Sequence, residues 1–421
     1  MLSLFCLPAH AQRPLSGSSL WLLGDWNGKR TELAQQGYEF DLGYTGELAT
    51  KLDGGYNRSH GTRYADQFAL GASLDLQKIL GWQDTQAKIT ITKRNGQSLS
   101  NKNYGYIGDP RTGHLSATQE VWGRGQTWRL TDFWIQKQFL DKKLDIKLGR
   151  FGEGEDFNSF DCDFQNLSLC GSQVGNWVGD IWYNWPVSQW AGRIRYNFQP
   201  DWYAQLGIFE YNPENLDRSK GFNLSTDGSH GAIIPVEFIW QPKLSVRQLP
   251  GEYRAGYYHS TADSSQINHP AQTAHKHGGW LVVKQQLTSQ ADDNSRGLSG
   301  FANITVHDKK TNTVDHFQNV GLVYRGWLDA RPKDEIALGL ARIHVNDDVS
   351  RLQKDNDLLL NINDAAYQPI QGTEYNAEIY YGIHAADWLT IRPNIQYIKH
   401  AGGVGYIDET WVGGVKFQLA F

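Results

Sequence analysis

The sequence has 421 residues, 40 basic and 45 acidic side chains, a formal net charge of −5 and a pI near 6.2. That balance offers no basic stripe to neutralise phosphates, which argues against a nucleic-acid partner. A mean hydropathy of −0.54 and the lack of any run of about eighteen apolar residues exclude a transmembrane helix. They do not exclude a membrane crossed by strands, because a spanning strand needs only about ten residues, half of them apolar.

The first residues, MLSLFCLPAHAQ, carry a short apolar run and then Ala9-His10-Ala11, a small-x-small cleavage pattern. The basic start of a secretory signal is missing, so residues 1–11 read as the tail of a signal peptide. The chain beyond it keeps two cysteines, Cys162 and Cys170. In an oxidising compartment their simplest reading is a disulfide closing a small loop. Residues 12–36 form an N-terminal segment. Within 15–36, Leu20, Leu23, Trp26 and Leu33 suit a short amphipathic helix, with Gly37 as its stop.

From residue 37 to 421 the helical period disappears. In 38–51, Tyr38, Phe40, Leu42, Tyr44 and Leu48 fall on one face and Glu39, Asp41, Thr45 and Glu47 on the other. In 66–76, Phe68, Leu70, Ala72 and Leu74 oppose Gln67, Ser73 and Asp75. In 87–94, Ala87, Ile89 and Ile91 oppose Lys88, Thr90, Thr92 and Arg94. Comparable runs lie near 130–139, 143–151, 192–198, 202–210, 232–240, 251–258, 279–287, 297–307, 317–325, 335–345, 374–383, 388–398 and 410–421, which makes sixteen strands.

The connections alternate between short turns and the long polar segments 95–127, 152–191, 211–230, 259–277 and 346–373. Short turns on one rim and long loops on the other is the layout of an outer-membrane barrel. Trp and Tyr gather at strand ends, as interfacial girdles do. The polar face carries Glu39, Asp41, Glu47, Lys88, Arg94 and Glu252, too much charge for the packed interior of a soluble sandwich or propeller. No linker or low-complexity tract marks a second domain. The final strand, TWVGGVKFQLAF, alternates up to Phe421 and suits a seam that closes on the first strand. The expected fold is all-β: a sixteen-stranded antiparallel transmembrane β-barrel with a short N-terminal helix.

The stretch Leu22–Leu48 resembles the opening of the carbohydrate-selective porins of the OprB family, with Gly24, Asp25, Trp26, Gly28 and Arg30 at the family's places. LDIKLGRFGEGEDF (144–157), the segment around Cys162 and Cys170, and LGIFEYNP (206–213) also resemble that family. The resemblance implies an outer-membrane channel through which glucose and other sugars diffuse passively into the periplasm. It implies that the N-terminal helix lies on the periplasmic side and that a terminal aromatic is the assembly signal. Sugars and outer-membrane lipid are then the partners. Porins often form homotrimers through a lipid-facing contact, and an apolar outer face is the same for one barrel or three.

A sugar is neutral and rich in hydroxyls, with apolar C–H faces. A pore that favours it needs paired charges of both signs and aromatic surfaces, with binding weak enough for release. Segment 152–191 is the candidate narrowing, holding Glu153, Glu155, Asp180, Trp182 and Trp185 and stiffened by the expected bridge. Arg94 is the expected cationic partner, inward by phase just before a long loop. Arg150 shares the phase of Leu144, Ile146 and Leu148, which argues against a lumen position. Asp132 and Trp134 share the inward phase of their strand, and Glu120 in the loop before them can reach the pore mouth. His259, His269, His275 and His277 read as a solvated loop rather than a metal site. No cofactor or catalytic group is expected: the sequence holds no Walker loop, H-E-x-x-H or G-x-S-x-G motif. The alternative is a general or ion-selective porin without a sugar site, although a phosphate channel would need a ladder of Lys and Arg. A barrel lipase or a soluble sugar-binding β-protein are more distant rivals.

Overall fold

The computed structural model describes residues 14–421, apart from Asp292. The signal-peptide reading of residues 1–11 lies outside the described residues. The long strands are β1 (Tyr38–Gly55), β2 (Thr62–Asp75), β3 (Thr85–Gly96), β4 (Trp128–Phe139), β5 (Leu144–Phe151), β6 (Gln189–Gln199), β7 (Trp202–Tyr211) and β8 (Gly231–Trp240). They continue with β10 (Leu249–Ser265), β11 (Thr273–Gln286), β12 (Gly297–His307), β13 (Val314–Arg325), β14 (Glu335–Val345), β15 (Thr373–Ala386), β16 (Leu389–Lys399) and β17 (Asp408–Ala420). Between β8 and β10, the two-residue β9 (Lys243–Leu244) only decorates a turn. All sixteen predicted strands are present. Each long strand pairs antiparallel with its sequence neighbours, and β1 also pairs with β17 from Gly43↔Ala420 to Gly55↔Asp408. The sheet is therefore closed, with no edge strand left unpaired.

The pleat sorts the side chains. Along β14, Ile336, Leu338 and Leu340 point outward and stay exposed, while Ala337, Gly339 and Ala341 point inward and are buried or covered. The outward set repeats around the wall, with Leu70, Ile89, Leu148, Leu206, Phe238, Leu281 and Ile395 among its members. Among the described residues no helix is long and apolar enough to span a membrane. An apolar outer wall on a closed barrel supplies the crossing instead.

Two expectations change. The helix expected over 15–36 is confined to Lys29–Gln35, preceded by the single turn Trp26–Gly28. Positive φ at Trp26, Asn27 and Gly28 interrupts the winding. Backbone donors ahead of it serve the barrel, as Leu22 N–H donates to the Ala420 carbonyl at 2.8 Å. The loop expected over 259–277 shrinks to 266–272, because β10 and β11 run on as a polar hairpin with His259 opposite His277.

The N-terminal segment clasps the seam. Arg30 is buried and its guanidinium donates to the carbonyls of Phe421, at 2.5 Å, and Phe40. It also stacks over the rings of Trp21 and Trp26 at 4.0 and 5.0 Å. Phe421 N–H in turn donates to the Leu42 carbonyl at 2.9 Å. Removing the guanidinium leaves two carbonyls short of a donor, at about 1–3 kcal/mol each when buried. Arg30→Ala should therefore lower, by several degrees, the temperature at which the folded band is lost in heat-modifiable gel electrophoresis. Unchanged heat resistance would show that the clasp contributes nothing.

Candidate functional site

The loop 152–188 does not extend outward. It folds into the barrel, crosses it and returns. After the short helix Glu153–Asp156, Phe157 lies on Gly207, where a Cβ would come within 2.8 Å of its ring. The tip carries the Cys162–Cys170 disulfide, so the expected bridge is present. On the far wall Asp163 pairs with Arg392 at 2.7 Å, and Leu169 lies on Gly339, which has no room for a side chain. The return arm packs Val174, Val178, Ile181 and Trp182 against Phe209, Tyr258, Trp280 and Val282. Parts of the inward faces of β7, β8, β10 and β11 thus meet an apolar core, while polar space remains beside β1 to β3 and also on the β10 to β13 side, where Asp161, Asp163, Glu252, Lys284 and Arg325 line a cavity of about 700 Å³.

Irregular backbone buried in this way needs hydrogen-bond partners. Inward glutamates on the wall provide them. Glu237 accepts from Asn158 N–H, and Glu378 from the N–H groups of Gln165 and Asn166. The preceding loop, 97–127, is held by the same device: Glu374 accepts from Leu115 and Ser116, and Glu47 from Val121. The two loops also bond to each other, with Glu120 N–H to the Gln165 carbonyl and Leu167 N–H to the Ala117 carbonyl.

Between these loops and the wall of β1 to β3 runs a cavity of about 700 Å³, lined by Thr45, Gln67, Arg94, Glu120, Glu155, Trp185 and Gln418 among others. The Gln67 side-chain oxygen accepts from both Arg94 Nε at 2.8 Å and Trp185 Nε1 at 3.0 Å. Arg94 Nη2 stands 3.8 Å from Glu120 Oε2, and Lys416 Nζ lies 3.0 Å from Glu120 Oε1 and 3.6 Å from Glu47 Oε1. Lys416 also donates to the Cys162 and Phe164 carbonyls, tying loop 152–188 to the last strand. On the other flank Lys147 Nζ sits 3.1 Å from both Glu155 and Asp156.

The predicted residues divide. Arg94, Glu120, Glu155 and Trp185 meet at the cavity. Asp132 and Trp134 point inward as their phase requires but stand behind it. Asp132 faces Lys88 at 3.9 Å, and the Trp134 ring lies under Lys147 Nζ at 4.8 Å. Asp180 is partly exposed, paired with Lys276 at 2.8 Å. Two residues need correction. Trp182 is fully buried, edge-on to Tyr258 and Trp280, and offers no ring face to a solute. Glu153 is fully buried too and accepts from Tyr183 N–H in its own loop and from the Gln189 amide at the start of β6. Arg150, which the phase set outward, is buried and donates to the Ser188 carbonyl, because Gly149 at φ 142° breaks the alternation. Lys147, Lys416 and Arg392 went unnoticed. Gln67 was marked only by its inward phase and Asp163 only as one of the acids of segment 152–191.

A closed sixteen-stranded barrel with an apolar outer wall, loops folded into its lumen and a charged gap beside them is an outer-membrane porin. Comparison with known proteins gives the family. The model of the carbohydrate-selective porins, OprB family, matches residues 59–421, and the chain belongs to that family. It is 58% identical to Porin B of Pseudomonas aeruginosa, over 98% of this chain and 94% of that one. It is 44% identical to the putative porin QuiX of Acinetobacter baylyi, over 95% and 93%. The high-pH structure of Pseudomonas putida OprB superposes with a TM-score of 0.94 at 55% identity, covering 97% of this chain and all of that one. The chain is a carbohydrate-selective channel of the bacterial outer membrane.

Electrostatics divides the loop acids. Burial works against the Asp156 carboxylate, but Lys147 and Arg193 outweigh it and hold the group below its ordinary range. Burial pushes Glu155 well above its range, Asp132 adding to the effect and Lys147 opposing it. Burial also raises Glu153 to about 8 against the two N–H donors it accepts. Between its ordinary 4.5 and about 8 the folded chain holds a proton that the unfolded chain has released. Its contribution to stability is therefore complete below that window and is lost as pH rises through it. The wild-type unfolding temperature should fall across this window, and Glu153→Gln, neutral throughout, should flatten the fall. Equal slopes in the two proteins would remove the assignment.

Proposed function

We propose that neutral sugars cross the barrel through the gap beside loop 152–188, and that Arg94, Glu120, Gln67 and Trp185 form its sugar-facing rim. The observation that carries this reading is the shared Gln67 oxygen. It holds a guanidinium and an indole side by side, with the Glu120 carboxylate across from the guanidinium. Guanidinium donors and carboxylate acceptors suit sugar hydroxyls, and the indole face suits the C–H plane of a pyranose. Because Arg94 and Lys416 stand against Glu120 and Glu47, the opposite charges screen one another and leave little net field to select an ion. Transport is diffusion down a gradient. The gap lies within one chain, so association of three barrels would cover lipid-facing wall without altering it.

The test is conductance of the refolded chain in a planar bilayer, titrating glucose against the salt current. Saturable block is expected. Arg94→Ala and Trp185→Ala should each raise the half-blocking concentration about tenfold, the equivalent of ~1.4 kcal/mol. Trp182→Ala should leave the block unchanged and instead lower stability, since truncating a buried Trp costs about 3–5 kcal/mol. Block that is identical in the Arg94 and Trp185 variants would remove the rim assignment. A wild-type current indifferent to glucose would return the chain to the general-porin alternative.

A further inference from the structure

We propose that Asp315, His316 and His344 form a binding site for a divalent transition metal ion of the zinc class at the long-loop rim, bridging β13 and β14.

The backbone creates the cluster. Val314 pairs with Val345 and His316 with His344, so two steps on β13 match one on β14. Asp315 is the extra residue of a bulge. A bulge re-aims the side chains beside it, and here Asp315 and its neighbour His316 both turn toward His344. His316 Nδ1 and His344 Nδ1 lie 3.0 and 2.7 Å from the same oxygen, Asp315 Oδ1. The three ligating atoms lie within 4.8 Å of one another. Four-coordinate zinc with bonds of about 2.0–2.2 Å sets its ligands ~3.3 Å apart, so this set needs only a slight opening.

One further feature favours an ion over a hydrogen-bonded cluster alone. The Asp315 side chain is fully buried, yet its Oδ2 has no hydrogen bond and faces only Lys309 Nζ at 3.4 Å. Lys309 is half exposed and free to swing into solvent. In the metal-free chain both Nδ1–H groups donate to Asp315 Oδ1; an ion bound there would take the Nδ1 lone pairs and leave the protons on Nε2. His344 Nε2 stands 3.6 Å from the exposed Asp347 carboxylate, which could accept its proton by a small shift once an ion held Nδ1. Two imidazoles and one carboxylate, partly open to solvent, suit zinc or cobalt better than calcium or magnesium, which take oxygen ligands. The site lies apart from the pore gap and is independent of the sugar reading.

The test uses the full chain without a histidine tag, refolded in detergent, stripped with chelator and shown to form channels. Titration with Co²⁺ should give saturable visible absorbance at one ion per chain, displaced by Zn²⁺. His316→Gln and His344→Gln should each weaken binding at least tenfold while channels still form. Asp347→Asn should weaken it less. Zn²⁺ should raise the unfolding temperature of the wild type and not of the His344 variant. Absence of saturable binding to folded wild type would overturn the proposal. So would binding that survives both variants, or binding lost instead in His259→Gln or His275→Gln.

Discussion

Everything in this molecule depends on closing the sheet in a medium that offers no hydrogen bonds. In lipid each unpaired backbone amide or carbonyl costs several kcal/mol, on the order of 2–7 by transfer data, so the first and last strands must meet. The β1–β17 seam meets that demand along most of both strands. Gly46 gives Phe417 a place to lie across the seam, beside Tyr44 and Tyr64. The N-terminal segment adds hydrogen bonds where the ladder ends, at Ala420 and Phe421.

The same requirement acts inside the wall. Two long loops leave water and lie across the lumen, where their irregular backbones lack the self-pairing of a strand. Wall glutamates at 47, 237, 374 and 378 accept their amide hydrogens. These carboxylates are as much docking points as pore lining. Glycine or alanine on the wall then lets the loops approach closely, as at Gly207, Gly339 and Ala341. The loops are thus fixed by apolar contacts on part of the wall and leave polar cavities beside β1 to β3 and beside β10 to β13.

The proposed sugar path uses the cavity beside β1 to β3. The loops bring Glu120, Glu155 and Trp185 to Arg94 and Gln67, and Lys416 holds the bridged tip from behind. The charged members of the gap are each paired with a neighbour. On the proposed path, paired charges would discriminate by shape and hydroxyl pattern rather than by net charge.

Period-two alternation, loop-length alternation and a charged inner face were enough to read the strands, the closed barrel and its membrane from the chain alone. Those signals are local, because the pleat puts every second residue on the same face whatever the partner strand is. The Cys162–Cys170 bridge was legible for the same reason, its members being close in sequence. Arg94, Glu120, Glu155 and Trp185 were identified as candidates, but not their arrangement, and Trp182 was assigned to the wrong environment. Lys416 and Arg392 lie more than two hundred residues from the loop they hold, and Gln67 lies 118 residues from Trp185, a partner its inward phase does not reveal. Phase says only that a side chain points inward. Whether it then meets water, a carboxylate or the back of a loop is decided by where that loop crosses the barrel, and long-range packing determines the crossing.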